Sequence, residues 1–94
     1  MPPPPAPAAR LQLVQRRDCG LCATMLEELT ALARTRSLPP VELVDVDSDP
    51  QLQRRHGLDV PVLLLDGSVV CRHHLDAAEL ARLLRPAPAG AGSP

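Results

Sequence analysis

Along this chain the apolar residues switch repeatedly between two spacings, and the order of those switches limits the folds open to it. Leu11, Leu13 and Val14 suggest a first strand. Cys22, Met25/Leu26, Leu29 and Leu32/Ala33 then recur at three- and four-residue steps, which places them on one face of a helix expected to end near Arg36. Pro39-Pro40 stops it, because proline lacks the N–H a helix needs. Val41, Leu43, Val44 and Val46 form a β-branched-rich strand. Asp49-Pro50 puts an acceptor at an N-cap and proline at the first helical position, so a short helix should run to about His56 before Gly57. Val62-Leu63-Leu64-Leu65, Asp66-Gly67 and Ser68-Val69-Val70-Cys71 spell two strands joined by a tight turn, since Asp-Gly tolerates the positive φ that both central positions require. Asp76 and Glu79 make a capping-box pair with Leu75 and Leu80 as the flanking staple, and Leu80, Leu83 and Leu84 supply the buried face of a last helix.

The order is therefore β-α-β-α-β-β-α, an α/β fold with a mixed four-stranded sheet flanked by helices. Helical crossovers after the first two strands predict parallel pairing there, and the Asp66-Gly67 turn adds an antiparallel strand. Phe, Tyr and Trp are all absent while 45% of residues are apolar, so the core must be aliphatic. A chain of 94 residues buries only about 60–65% of its unfolded surface, so close packing is needed. Met1 to Ala9 and Pro86 to Pro94, rich in proline and alanine, are expected to be extended tails around a folded unit of residues 10–85. The net charge of −1, without a block of either sign, favours neither nucleic acid nor an anionic membrane. No apolar run approaches the roughly 20 residues of a membrane span or follows the start as a secretory signal would. A cytoplasmic monomer is expected, ahead of a mitochondrial location, because one arginine and no amphipathic helix make a poor presequence.

Cys19-Gly20-Leu21-Cys22 lies between the first strand and the first helix. Two thiols at that spacing on a helix start can close a small disulfide ring and reopen it, and a strand-to-helix junction within a βαβ pattern is the context such a redox pair needs. Three cysteines do not resemble a secreted disulfide scaffold. A zinc site would need two more ligands, for which Cys71 with His73 or His74 are available, joining two ends of the sheet. An iron–sulfur cluster shared between subunits, and a non-catalytic binding module or metal carrier, are the remaining alternatives. Cys71 otherwise reads as a small core or edge thiol, His73-His74 as a solvated loop pair, and His56 as a complement to a helix dipole.

The CGLC motif, the VDVDSDPQLQRRHGL segment, Val60-Pro61 opening the third strand, and PVLLLDG together resemble the small glutaredoxin-like proteins of the thioredoxin superfamily, over essentially the whole of residues 10–85. The resemblance implies a thioredoxin-like fold and a thiol–disulfide oxidoreductase that reduces protein or glutathione mixed disulfides. Cys19 would attack, its thiolate favoured by the unpaired amides of the first helical turn and by Arg16 and Arg17, with Asp18 opposing; Cys22 would resolve the mixed disulfide. Pro61 would be cis and lie against the cysteines, leaving the Val60 backbone to pair with an extended substrate. Arg16 matches a position that takes the glycyl carboxylate of glutathione, and Leu75-Asp76 matches the part that receives its γ-glutamyl end. No metal and no tightly bound cofactor are implied, only glutathione as co-substrate. The chain departs from the family pattern in having Gly20 and Leu21 instead of proline and an aromatic between the cysteines, and Arg72-His73-His74 where a Gly-Gly pair is usual.

Overall fold

The computed structural model describes residues 9–84, so almost all of both expected tails falls outside the described residues. The elements appear in the expected order: β1 (Leu11–Gln15), α1 (Gly20–Ala33), β2 (Val41–Asp45), a 3-10 turn (Val46–Ser48), α2 (Pro50–His56), β3 (Val62–Leu65), β4 (Ser68–Arg72) and α3 (Ala77–Leu84). Two ends move inward from the expected positions. The helix α1 stops at Ala33, and the amides of Thr35 and Arg36 both bond to the Leu32 carbonyl in a tightened final turn. The strand β2 stops one residue before Val46, because the Asp45 carboxylate accepts from the Asp47 amide at 2.8 Å and the Asp45 carbonyl accepts from the Ser48 hydroxyl at 2.7 Å. These local bonds draw the backbone into a turn in place of the ladder.

The sheet order is β2-β1-β3-β4. The pair β1 and β2 is parallel, from Leu11 opposite Val41 to Gln15 opposite Asp45, as the first crossover requires. The strand β3, in contrast to the expected second parallel pairing, is antiparallel to β1, with Val62 opposite Val14 and Leu65 opposite Leu11. The reason lies in where the second connection is tied down. The seven residues of α2 span only about 10 Å, and the carbonyl of Gly57, which ends the helix, accepts a 3.0 Å hydrogen bond from Arg16 just past the end of β1. The chain is thus held at the end of the sheet it left, and β3 can only run back. The hairpin follows the expected turn chemistry, with Asp66 at φ 51° and Gly67 at φ 84°. Asp66 also exchanges two 2.8 Å bonds with the Arg10 backbone, fastening the turn to the start of β1.

Both faces of the sheet are covered. Leu11, Leu13 and Leu63 pack against Met25 and Leu29 of α1 and Leu80 of α3. On the other face Val14, Val62 and Leu64 meet Val46, with Val44, Leu52 and Val60 around them. The neighbouring residues Leu13 and Val14 therefore face opposite layers, and the continuous apolar run of β3 is explained by burial on both sides. At α3 the Asp76 carboxylate accepts from the Glu79 amide at 2.9 Å, which is half of the capping box. Its other half is missing because the Glu79 side chain pairs with Arg82 one turn on.

Candidate active site

Four residues carry the chain from the end of β1 to the start of α1. Asp18 adopts the left-handed region at φ 55°, which aspartate tolerates better than most side chains, and turns the backbone into the helix. Cys19 follows in an extended conformation as the N-cap of α1. Its carbonyl accepts from the Ala23 amide at 3.1 Å and its sulfur from the Cys22 amide at 3.2 Å. The Cys19 sulfur thus occupies the place of an N-cap oxygen, where unpaired amides and the positive end of the helix dipole favour a thiolate. The first turn of the helix holds no acidic residue to oppose them.

The Cys19 and Cys22 sulfurs are at disulfide distance, with their Cα atoms 5.2 Å apart. Their surroundings are unequal. Cys22 is 1% exposed and faces the core one turn before Met25, whereas Cys19 is half-buried and followed by the exposed Gly20 and Leu21. An open cleft of about 610 Å³ lies beside Cys19, and Arg16, Arg17, Asp18, Leu26 and Asp45 are among the residues that line it.

Of the remaining expected site residues, Val60 and Pro61 lie at the start of β3. The Val60-Pro61 peptide is cis. Pro61 is fully buried, while Val60 is half-buried and lies before the ladder begins at Val62. The Pro61 carbonyl accepts from the His73 amide at 2.8 Å, which places the end of β4 beside the proline. Exposed His73, at φ 67°, and Arg72 both lie near the carboxylate of Asp59, at 3.7 and 4.0 Å. Asp76 comes three residues after His73, its carboxylate engaged as the α3 cap. Cys71 is half-buried and unpaired; burial pushes its thiol up, with a smaller opposing pull from a hydrogen bond to the Asp76 backbone. No three of the His, Cys, Asp and Glu side chains cluster as metal ligands among the described residues. His56 has a buried Nδ1 with no partner among those residues.

Arg16 is engaged by other residues of the chain. Its Nε and Nη2 donate to the two carboxylate oxygens of Asp47 at 2.9 and 3.0 Å, and its Nη1 to the Gly57 carbonyl at 3.0 Å. Gln53 adds a 3.1 Å bond to the same carboxylate. Arg16 therefore ties three segments together: the approach to the cysteines, the turn after β2, and the end of α2 that leads to Val60-Pro61. Asp47 and Gly57 are the residues of this site that sequence reasoning missed. Their partners lie 31 and 41 positions away, and no local pattern links them.

These bonds hold the Asp47 carboxyl at about 2, below its ordinary 3.8. Because the folded-state value is depressed, the contribution to stability is complete above the unfolded value and disappears as pH falls through the folded one. Acid unfolding followed by circular dichroism should therefore lose this contribution between about pH 4 and pH 2. Asp47→Asn should flatten the stability profile across that window, and a profile parallel to that of the wild type would contradict the role given to the pair.

A mixed four-stranded sheet of this order, flanked by three helices, defines a thioredoxin-like fold. Residues 10–85 match the family model described as Glutaredoxin-like domain (DUF836), and the chain belongs to that family. The chain is similar to protein Ne2328 from Nitrosomonas europaea, whose solution structure superposes with a TM-score of 0.74 at 25% identity, over 82% of this chain and 92% of that one. It is also similar to protein XcR50 from X. campestris, with a TM-score of 0.58 and 34% identity over 81% of this chain and 99% of that one. The oxidised form of mitochondrial thioredoxin 3 from Saccharomyces cerevisiae shares the fold, with a TM-score of 0.51 and 22% identity over 80% and 73% of the two chains. No curated protein matches the chain in sequence. No helix among the described residues is long and apolar enough to cross a membrane.

Proposed function

We propose that this protein is a glutaredoxin-like thiol–disulfide oxidoreductase that reduces protein or glutathione mixed disulfides. The observation that carries the reading is the asymmetry of the pair, a half-buried Cys19 at the helix N-cap beside a fully buried Cys22. The Cys19 thiolate attacks one sulfur of the substrate disulfide, and the other sulfur leaves as a thiolate that takes up a proton. Cys22, losing its proton, then attacks the Cys19 sulfur and expels the second substrate thiolate. The substrate gains two electrons and the protein is left with a Cys19–Cys22 disulfide. Two thiols, glutathione among the possible sources, reverse the process and restore the dithiol. Pro61 and the backbone of Val60 hold the substrate as an added extended strand. The protein acts as a cytoplasmic monomer without a tightly bound cofactor.

The test is intact-mass analysis across a graded glutathione redox buffer, with peptide mapping of the oxidised form. A reversible Cys19–Cys22 disulfide with a potential between about −270 and −120 mV is expected. Failure to form that bond, or a metal retained on freshly purified protein, would favour a binding module or metal carrier.

A further inference from the structure

The charges around Cys19 bear on which disulfides the protein takes. Arg16 and Arg17 line the cleft, but so do Asp18 and Asp45, and the four cancel. Asp47, bonded to Arg16, adds a further negative charge. The Arg16 guanidinium is engaged by both oxygens of Asp47 and by the Gly57 carbonyl, with Asp45 adding a further attraction. A fork held bidentately by one carboxylate is poorly placed to receive another. The apolar surface nearby is open instead. Leu21, between the two cysteines, is 44% exposed, and Leu58, directly after the carbonyl that Arg16 holds, is 98% exposed.

We propose, resting on the oxidoreductase reading, that Asp47 is a specificity-determining residue: by occupying Arg16 it withholds the cation beside Cys19 from carboxylate-bearing ligands. The site consequently prefers protein disulfides with neutral, apolar flanks to glutathione mixed disulfides. Glutathione carries two carboxylates and one ammonium, and in the wild-type cleft no net positive charge among the described residues compensates its net negative charge. Arg16 is here a positioning residue, bracing the loop before Pro61 against the cysteine segment.

The test uses S-methylglutathione, which has the tripeptide's charges but no reactive thiol, titrated into the reduced full-length protein and followed by amide NMR shifts. Asp47→Asn keeps the shape of the side chain and removes its charge, so it should tighten binding roughly three- to fivefold, the size of an exposed ion pair. In an Arg16→Gln background the same Asp47→Asn change should alter the affinity by no more than about twofold, since no arginine is left to release. Equal tightening by Asp47→Asn in both backgrounds would overturn the proposal, since Asp47 would then act by its own charge and not by occupying Arg16. So would an unchanged affinity in Asp47→Asn. If Asp47→Asn loses its folded amide dispersion, Asp47→Ser, which also lacks the charge, replaces it in both backgrounds. Turnover of an uncharged disulfide by the wild type, measured in parallel, reports on the oxidoreductase reading independently of either titration.

Discussion

Cys22→Ser should stop the reaction halfway, leaving substrate covalently attached to Cys19, and Cys19→Ser should reduce exchange to the buffer background without an adduct at Cys22. Both outcomes follow from exposure and position. Cys19 is the half-buried member of the pair and lines the open cleft, and its sulfur sits against the amides of the first helical turn, where a thiolate is favoured. Cys22 is 1% exposed and cannot meet an external disulfide without opening the helix start. It does, however, face the Cys19 sulfur at disulfide distance, so an intramolecular attack needs little movement. Serine at position 22 preserves the size and removes the nucleophile, and the mixed disulfide then persists until an external thiol releases it. Incubation with a disulfide substrate, followed by non-reducing mass analysis and peptide mapping, separates the two variants. Equal trapping by both, or by neither, would contradict the division of roles.

Much of the fold was legible because the local signals are strong and mutually consistent. The three- and four-residue spacing through Cys22, Met25 and Leu29 marks α1 because all three are buried on one face. Asp66-Gly67 predicts its hairpin because both residues accept positive φ. The direction of β3 was not legible. Pattern alone treats a strand after a helix as parallel, whereas here α2 is too short to carry the chain back along the sheet, and its end is tied to Arg16 across 41 positions. The end of β2 was missed for a related reason: Val46 is apolar and buried, as a strand residue would be, but Asp45 accepts local bonds that turn the chain first. At the site, the cysteines could be placed from their junction between strand and helix. Arg16 could be placed but not its use, because its charge says nothing of the carboxylate 31 residues away that engages it.

That long-range brace links the two halves of the site. Residues 16–22 descend from β1 into α1, while residues 57–61 come from α2 into β3, and the strands β1 and β3 that continue from them are neighbours in the sheet. Arg16 spans the gap at the point where both leave regular structure. The same residue therefore ties the cysteine segment to the one that leads into Val60-Pro61, with all three guanidinium nitrogens bonded.

Leu13→Ala should be among the most destabilising single changes, about 2–5 kcal/mol, because it removes a wholly buried side chain from the centre of the larger core. Leu13 lies opposite Leu63 in the ladder and between α1 and α3, so no neighbouring element can move inward without disturbing the sheet. A folded unit of this size has a total stability of about 4–11 kcal/mol. The loss would therefore consume a large fraction of it, all the more since no aromatic residue supplies extra buried area. Leu43→Ala is the matched control: the same chemistry, in a strand of the same sheet, at a side chain 51% exposed on the edge strand β2. It should cost no more than about 0.5 kcal/mol. Urea unfolding of both variants should be followed by far-ultraviolet circular dichroism, since the chain has no tryptophan or tyrosine to report by fluorescence. Keeping the cysteine pair in one redox state throughout removes the ring's own contribution from the comparison. Equal midpoints for the two variants would mean that the layer between the sheet and helices α1 and α3 is not the centre of stability.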